Sequence, residues 1–221
     1  MTTMPMRANA PAIAKRLHYI IDNTKPGVLR KDAYIVTYRD HLETFAAVTR
    51  AKAWTAEKVV ESVAVVYTWI ARRRNSYVVD VAVAHKLAVA LNDGTDERLL
   101  GRLARNLVNN SMMAGSKFLH FYGPERFPIT DDRCQHVSGK PWDPSVALDC
   151  YIEWQGGVHS VDDEHAARAM EWARATFGYE VARTRAIEAM AFYFVKALSK
   201  HDQKKLLKFF RDTYPAEAEA A

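Results

Sequence analysis

The sequence predicts an all-α chain, on three observations. Apolar residues recur three and four apart through segment after segment, as the 3.6-residue helical period requires. The breaks fall at Gly, Pro and Asn-Asp-Gly clusters, and polar capping residues precede several of the periodic runs. More than half of the chain is therefore expected in helix, with no sheet of three or more strands.

Residues 10–22 read as the first helix, with Ala12, Ile13, Leu17, Ile20 and Ile21 on one face, and Lys25-Pro26-Gly27 ends it. A second covers 30–50, with Tyr34, Ile35, Tyr38, Leu42, Phe45 and Val48 in register. Thr55, followed by Glu57 and Lys58, opens a third whose stripe is Val59, Val63, Val66, Tyr67 and Ile70 and which ends in Arg72-Arg73-Arg74. Residues 77–91 are valine-rich enough for a strand, but Val81, Ala84, His85, Ala88 and Leu91 keep the helical period. Asn92-Asp93-Gly94 stops that run, and Thr95 is read as the cap of a helix over 96–113. A short helix over 114–122 ends at Gly123-Pro124. An irregular stretch then runs to 144, holding Pro124, Pro128, Gly139, Pro141 and Pro144. Helices follow over 145–154, 162–177, 181–199 and 201–213, and 216–221 reads as a frayed tail. A long irregular loop inside a helical chain is more often functional than idle.

At 221 residues, 49% apolar and 26% charged, the chain suits one globular domain over 1–221, with a cleft expected around 114–144. Its two cysteines, Cys134 and Cys150, fit neither a disulfide framework nor a four-cysteine metal or iron–sulfur site, which points to a reducing compartment. No apolar run approaches the roughly 20 residues a bilayer span needs. Residues 1–11 lack the apolar core of a secretory signal. The expectation is a cytoplasmic chain with no membrane partner; the oligomeric state stays open. A net charge of +5 is compatible with nucleic acid without requiring it. The chain has no phosphate-binding glycine loop, nucleophile elbow or His-Glu-x-x-His motif.

The polar signals concentrate in one region: Gly115-Ser116-Lys117-Phe118-Leu119-His120-Phe121, then Phe127-Pro128-Ile129-Thr130-Asp131-Asp132-Arg133. A lysine near the start of an apolar helix is followed by a proline-bounded return to an aspartate. This stretch resembles the central motif of the helix-hairpin-helix DNA glycosylase superfamily: a tight hairpin, a helix bearing a lysine, then an apolar-Pro-apolar element leading to an aspartate. Arg185-Ala186-Ile187-Glu188, followed by Phe192 and Phe194, resembles that superfamily's closing helix. The hairpin lead-in here is Ser111-Met112-Met113-Ala114-Gly115, with one glycine and no proline, and Asp131 follows Lys117 by 14 positions.

The resemblance implies a two-lobed helical domain that binds DNA and cuts the bond between a modified or damaged base and its sugar, with or without lyase activity. Breaking that bond develops positive charge on the sugar, which a carboxylate stabilises; Asp131 is the candidate. A neutral lysine amine can instead attack the sugar carbon and form a Schiff base; Lys117 is the candidate. His120, one turn on from Lys117, and Asp132 are auxiliary candidates. Backbone N–H groups of an Ala114–Gly115–Ser116 turn, with Arg133, Arg72, Arg73 and Arg74, are the expected phosphate contacts. A base leaving the duplex needs an aromatic pocket, for which Tyr122, Trp142 and Trp154 are the candidate walls.

Each residue has a structural alternative. Lys117 also suits a pair with Asp131 or Asp132, His120 a packed helix position, and the tryptophans a core. The Lys196, Lys200, Lys204, Lys205 and Lys208 series also suits a solvated face. His159, Asp162, Asp163, Glu164 and His165 contain metal-ligand types, but Asp162 to Glu164 read as a capped and charged helix start. No metal or other cofactor is expected. A non-catalytic helical DNA-binding or defence-associated protein on the same scaffold is the alternative function.

Overall fold

A computed structural model describes residues 9–25, 33–70, 77–94, 96–139 and 147–215. The chain is all-helical among these residues. Its helices are α1 (Ala10–Asn23), α2 (Ala33–Val36), α3 (Tyr38–Arg50), α4 (Ala56–Thr68), α5 (Val81–Asp93), α6 (Glu97–Leu107), α7 (Met112–Tyr122), α8 (Asp132–Ser138), α9 (Ala147–His159), α10 (Asp163–Phe177), α11 (Arg183–Ala197) and α12 (Lys200–Thr213). The β-type pairing described is an isolated antiparallel bridge between Val79 and Val108. The valine-rich segment is helix from Val81 onward, because Asp80 caps it through Val83 N–H at 3.0 Å and Ala84, Leu87, Ala88 and Leu91 bury one face. No described helix is long and apolar enough to cross a membrane.

Two compact units divide the chain: Leu29–Ile129, and a discontinuous unit of Met1–Val28 with Thr130–Ala221. The continuous unit is built on aromatic packing. Phe45 of α3 lies 5.2 Å from Phe118 of α7 and 5.6 Å from Trp54 between ring centroids, and Trp69 lies 5.1 Å from Phe121. Phe45, Phe118 and Phe121 are fully buried; each such side chain contributes about 1.5–3 kcal/mol on leaving water. Gly115 of α7 faces the backbone of α6, where a Cβ would meet the Ala104 carbonyl carbon at 2.7 Å and Arg105 N at 2.8 Å. The two helices therefore approach at backbone contact.

In the discontinuous unit, α1 packs on α9 closely enough that a Cβ on Gly157 would overlap Ile13 Cγ2 at 2.3 Å. Arg16 of α1 is 2% exposed. Its guanidinium donates to the Val137 carbonyl of α8 at 3.0 Å and to the Tyr214 carbonyl after α12 at 2.7 Å. Those are carbonyls that a helix C-terminus leaves without an intrahelical donor. Burial pulls the Arg16 pKa down. On α11, Arg185 and Glu188 form an ion pair buried among Phe177 and the helix's apolar face. Asp162 caps α10 by accepting from His165 N–H, and that bond, with the His165 ring, holds its carboxyl at about 2.

Four local expectations are corrected. The second predicted helix is two, α2 and α3, broken at Thr37. The helix expected over 96–113 stops at Leu107 and a new one starts at Met112, with Asn109 and Asn110 in left-handed conformation at φ 50° and 51°. Asparagine tolerates that region better than other non-glycine residues. The cap of α6 is Asp96, whose carboxylate accepts from Arg98 N–H at 2.8 Å; Thr95 lies outside the described residues, as does the 216–221 tail. The stretch read as irregular to 144 contains α8, which Gly139 closes at φ +76°.

Candidate functional site

The sequence-named residues fall into two groups, one in each unit. In the continuous unit they share α7. Ser111 caps this helix, its hydroxyl accepting from Ala114 N–H at 3.4 Å, while Gly115 N–H bonds the Ser111 carbonyl at 2.9 Å. Ala114, Gly115 and Ser116 are thus a helix interior and not the phosphate-facing turn expected of them. All three are buried. Their N–H groups are committed to the helix, and the Gly115 hydrogen is required by α6. The turn itself lies upstream, at Val108–Ser111, where Ser111 N–H closes on the Val108 carbonyl at 3.0 Å. Asn109 braces this turn: its Oδ1 accepts from Val78 N–H and its Nδ2 donates to the Tyr67 hydroxyl, each at 3.3 Å. The N–H groups of Met112 and Met113 open α7 ahead of the first capped position.

Lys117 lies one turn into α7 and is 7% exposed, between the buried Ser116 and Phe118. His120, its neighbour one turn on, is fully buried. Its Nδ1 donates to the Phe127 carbonyl at 2.7 Å, and its Nε2 accepts from the Tyr38 hydroxyl at 2.8 Å. That arrangement is satisfied by a neutral imidazole and locks the loop after α7 against α3. It is the packing role that His120 was also read as suiting. Tyr122 is half-buried, with its hydroxyl on the Leu91 carbonyl at 2.9 Å and its ring 6.4 Å from Phe127. Arg126 anchors the same loop by donating to Glu97 of α6 at 3.0 Å.

In the discontinuous unit, Asp131 is the N-cap of α8. Its Oδ1 accepts from Arg133 N–H at 2.8 Å and Cys134 N–H at 3.0 Å, and the residue is 8% exposed. One carboxylate oxygen is thus fixed by the helix start. The Cys134 thiol also hydrogen-bonds the Asp131 carboxylate. Asp132 is exposed beside it, 3.7 Å from the Arg133 guanidinium, which lies 5.0 Å over the Phe192 ring. Arg133 is thus braced at the surface by α11. Burial and the charges of Asp131 and Glu188 push the Cys134 thiol well above its ordinary range. Trp154 is 1% exposed and forms part of the core, so it walls no open pocket. Trp142, Arg72, Arg73 and Arg74 lie outside the described residues.

Sequence reasoning missed the Val108–Ser111 turn and α8. The adjacent asparagines were the signal for the turn. For α8 the signals were an aspartate opening Asp131-Asp132-Arg133 and a glycine at 139, its capping residue and C-terminal stop. The chain matches no protein-family model, no characterised protein and no solved structure.

Proposed function

We propose that this chain is a cytoplasmic, DNA-binding, glycosylase-type protein that releases a modified or damaged base, with or without lyase activity. One observation carries the reading, the order of elements along the chain. A tight Asn109-Asn110 turn joins α6 to α7; α7 bears Lys117; Phe127-Pro128-Ile129 follows; and the chain then reaches Asp131 at the start of α8. This is the order that the resemblance of the sequence to the helix-hairpin-helix DNA glycosylases implies.

In this reading the start of α7 takes over the phosphate contact assigned to the downstream glycine, because the N–H groups of a helix's first turn favour an anion. Arg133 adds charge. Asp131 supplies the carboxylate that stabilises the sugar cation. Lys117 is the amine that forms a Schiff base if the enzyme is also a lyase. His120 drops out of the chemistry, since both of its nitrogens are engaged in packing. The alternative is a non-catalytic DNA-binding or defence-associated protein, and the capping of α8 by Asp131 favours it, being a complete role without chemistry.

A panel of duplexes carrying damaged or modified bases, assayed for binding and for abasic product, tests the reading. Binding is expected to weaken as salt rises, with a log–log slope set by the phosphates neutralised. Abasic product on at least one duplex is expected. Binding without product across the panel supports the non-catalytic alternative, and no binding at low salt overturns both. Borohydride added during turnover traps a covalent DNA adduct only if a lysine Schiff base forms, which decides the role of Lys117.

A further inference from the structure

The discontinuous unit carries a second polar cluster, remote in sequence from the motif. His18 of α1 and His165 of α10 stack with ring centroids 4.0 Å apart and planes 14° from parallel. Both converge on the carboxylate of Asp162. His18 Nε2 lies 3.4 Å from Asp162 Oδ2, and His165 Nδ1 lies 2.8 and 3.0 Å from the two Asp162 oxygens. One donor atom from each residue falls within 4.8 Å of the others. On its other side, His165 Nε2 is 3.5 Å from Asp22 Oδ1, which Arg168 holds at 2.6 Å.

The His165 ring thus faces a carboxylate at both nitrogens. A neutral imidazole carries one N–H and satisfies one of the two. In the tautomer whose N–H points to Asp22, Nδ1 turns from a donor to Asp162 into a lone pair that a metal ion beside the Asp162 carboxylate can take up. His18 Nε2 faces the same place, 3.4 Å from the Asp162 backbone nitrogen and 3.4 Å from Asp162 Oδ2, and as a ligand it would give the lone pair that now meets the amide to the ion. Tetrahedral zinc, with bonds of about 2.0–2.2 Å to nitrogen and oxygen, separates its ligands by roughly 3.3–3.6 Å. The 3.0 and 3.4 Å separations here reach that range with small side-chain rotations. Asp22 then stands where the outer carboxylate of a carboxylate–histidine–zinc arrangement stands, fixing the tautomer that frees Nδ1 for the metal.

We propose that His18, Asp162 and His165 form a binding site for a divalent transition metal of the zinc class, with Asp22 orienting His165. Two imidazoles and one carboxylate select zinc-like ions over magnesium and calcium, which prefer all-oxygen sites. Three protein ligands leave the fourth tetrahedral position to water. The bound ion ties α1 to the start of α10, joining segments 144 residues apart in sequence. That separation is why sequence alone assigned no metal: His18 is absent from any local motif.

The test uses untagged, metal-stripped full-length protein at neutral pH, with zinc titrated calorimetrically and Co2+ added as a visible-absorbing stand-in. The wild type is expected to bind one equivalent of zinc, to show tetrahedral Co2+ absorption and to gain thermal stability with zinc but not with magnesium. His18→Gln and His165→Gln are expected to weaken zinc binding at least 10-fold and to abolish the thermal gain. Asp22→Asn, which removes no ligand, is expected to weaken it about 10-fold. Circular dichroism of each stripped variant reports whether the fold is kept. A wild type that takes up no zinc overturns the proposal. So does one whose zinc affinity is unchanged in both His18→Gln and Asp22→Asn, since the metal would then sit on other side chains.

Discussion

At the scale of single residues, the polar groups of this protein divide by what their partners leave free. His120 is closed on both sides by Tyr38 and Phe127. Removing it orphans a buried hydroxyl and a buried carbonyl, at about 1–3 kcal/mol for each group left unsatisfied. His120→Ala should therefore lower stability by about 3 kcal/mol in urea denaturation, with any loss of DNA activity following that loss of fold. His41, packed against Trp69 and Phe121, behaves differently. Burial, only partly offset by the charge of Asp40, holds its pKa below the ordinary 6.5. The unfolded chain then binds the proton more readily than the folded one. The stability this group contributes is complete above about pH 6.5 and is lost as pH falls through the folded value. Denaturation midpoints should fall between neutral pH and pH 5, and His41→Gln should reduce that fall. Cys134 should resist alkylation in the native protein and react only on unfolding, because its thiol is buried and its pKa raised. Mass spectrometry after a timed pulse of iodoacetamide reads this directly.

At the scale of elements, helix existence was legible and helix ends were not. The 3.6-residue periods that predict 10–22, 162–177 and 181–199 also appear as α1, α10 and α11, because burial of one face decides both. The failure at 96–113 has a local cause. Apolar spacing continues through Val108 and Met112, so the pattern does not register the break, whereas two left-handed asparagines enforce it. α8 was hidden by its short length and by the prolines flanking it. Gly115 was legible as special but for the wrong reason, as a turn residue and not as the point where α7 meets the α6 backbone. Gly115→Ala should cost about 1–3 kcal/mol, the range for overpacking a tight interior. The loss should appear in thermal unfolding of the continuous unit. If the substitution is neutral, the close approach of α6 and α7 is not what this glycine provides.

At the scale of the whole molecule, the chain leaves its first unit after α1 and returns to it at Thr130. No local pattern announces that return. Arg16 reaches Val137 across 121 residues and Tyr214 across 198, and such pairings carry no period for a sequence reading to detect. The candidate site was legible to a similar degree. Lys117 and Asp131 were named from the motif, and the structure makes Asp131 the cap of α8. The aromatic pocket was less legible, because core and pocket tryptophans look alike in sequence and Trp154 proves to be core. Arg16→Met keeps the buried stem but leaves the Val137 and Tyr214 carbonyls without their donor. A loss of about 3 kcal/mol is expected, read as earlier unfolding of the discontinuous unit in hydrogen exchange.

The central claim is that Asp131 does chemistry beyond capping α8, and Asp131→Asn separates the two roles. Asparagine caps a helix about as well as aspartate, so α8 should persist, while the negative charge that would stabilise a sugar cation is gone. The measurement is single-turnover release of abasic product from a duplex that the wild type cleaves, with duplex affinity and thermal stability measured on the same samples. The account predicts that Asp131→Asn keeps its fold and its affinity within about twofold and loses base release by at least about 100-fold, the scale on which a single electrostatic contact to the transition state acts. Base release by Asp131→Asn at the wild-type rate would contradict it and leave Asp131 as a helix cap alone.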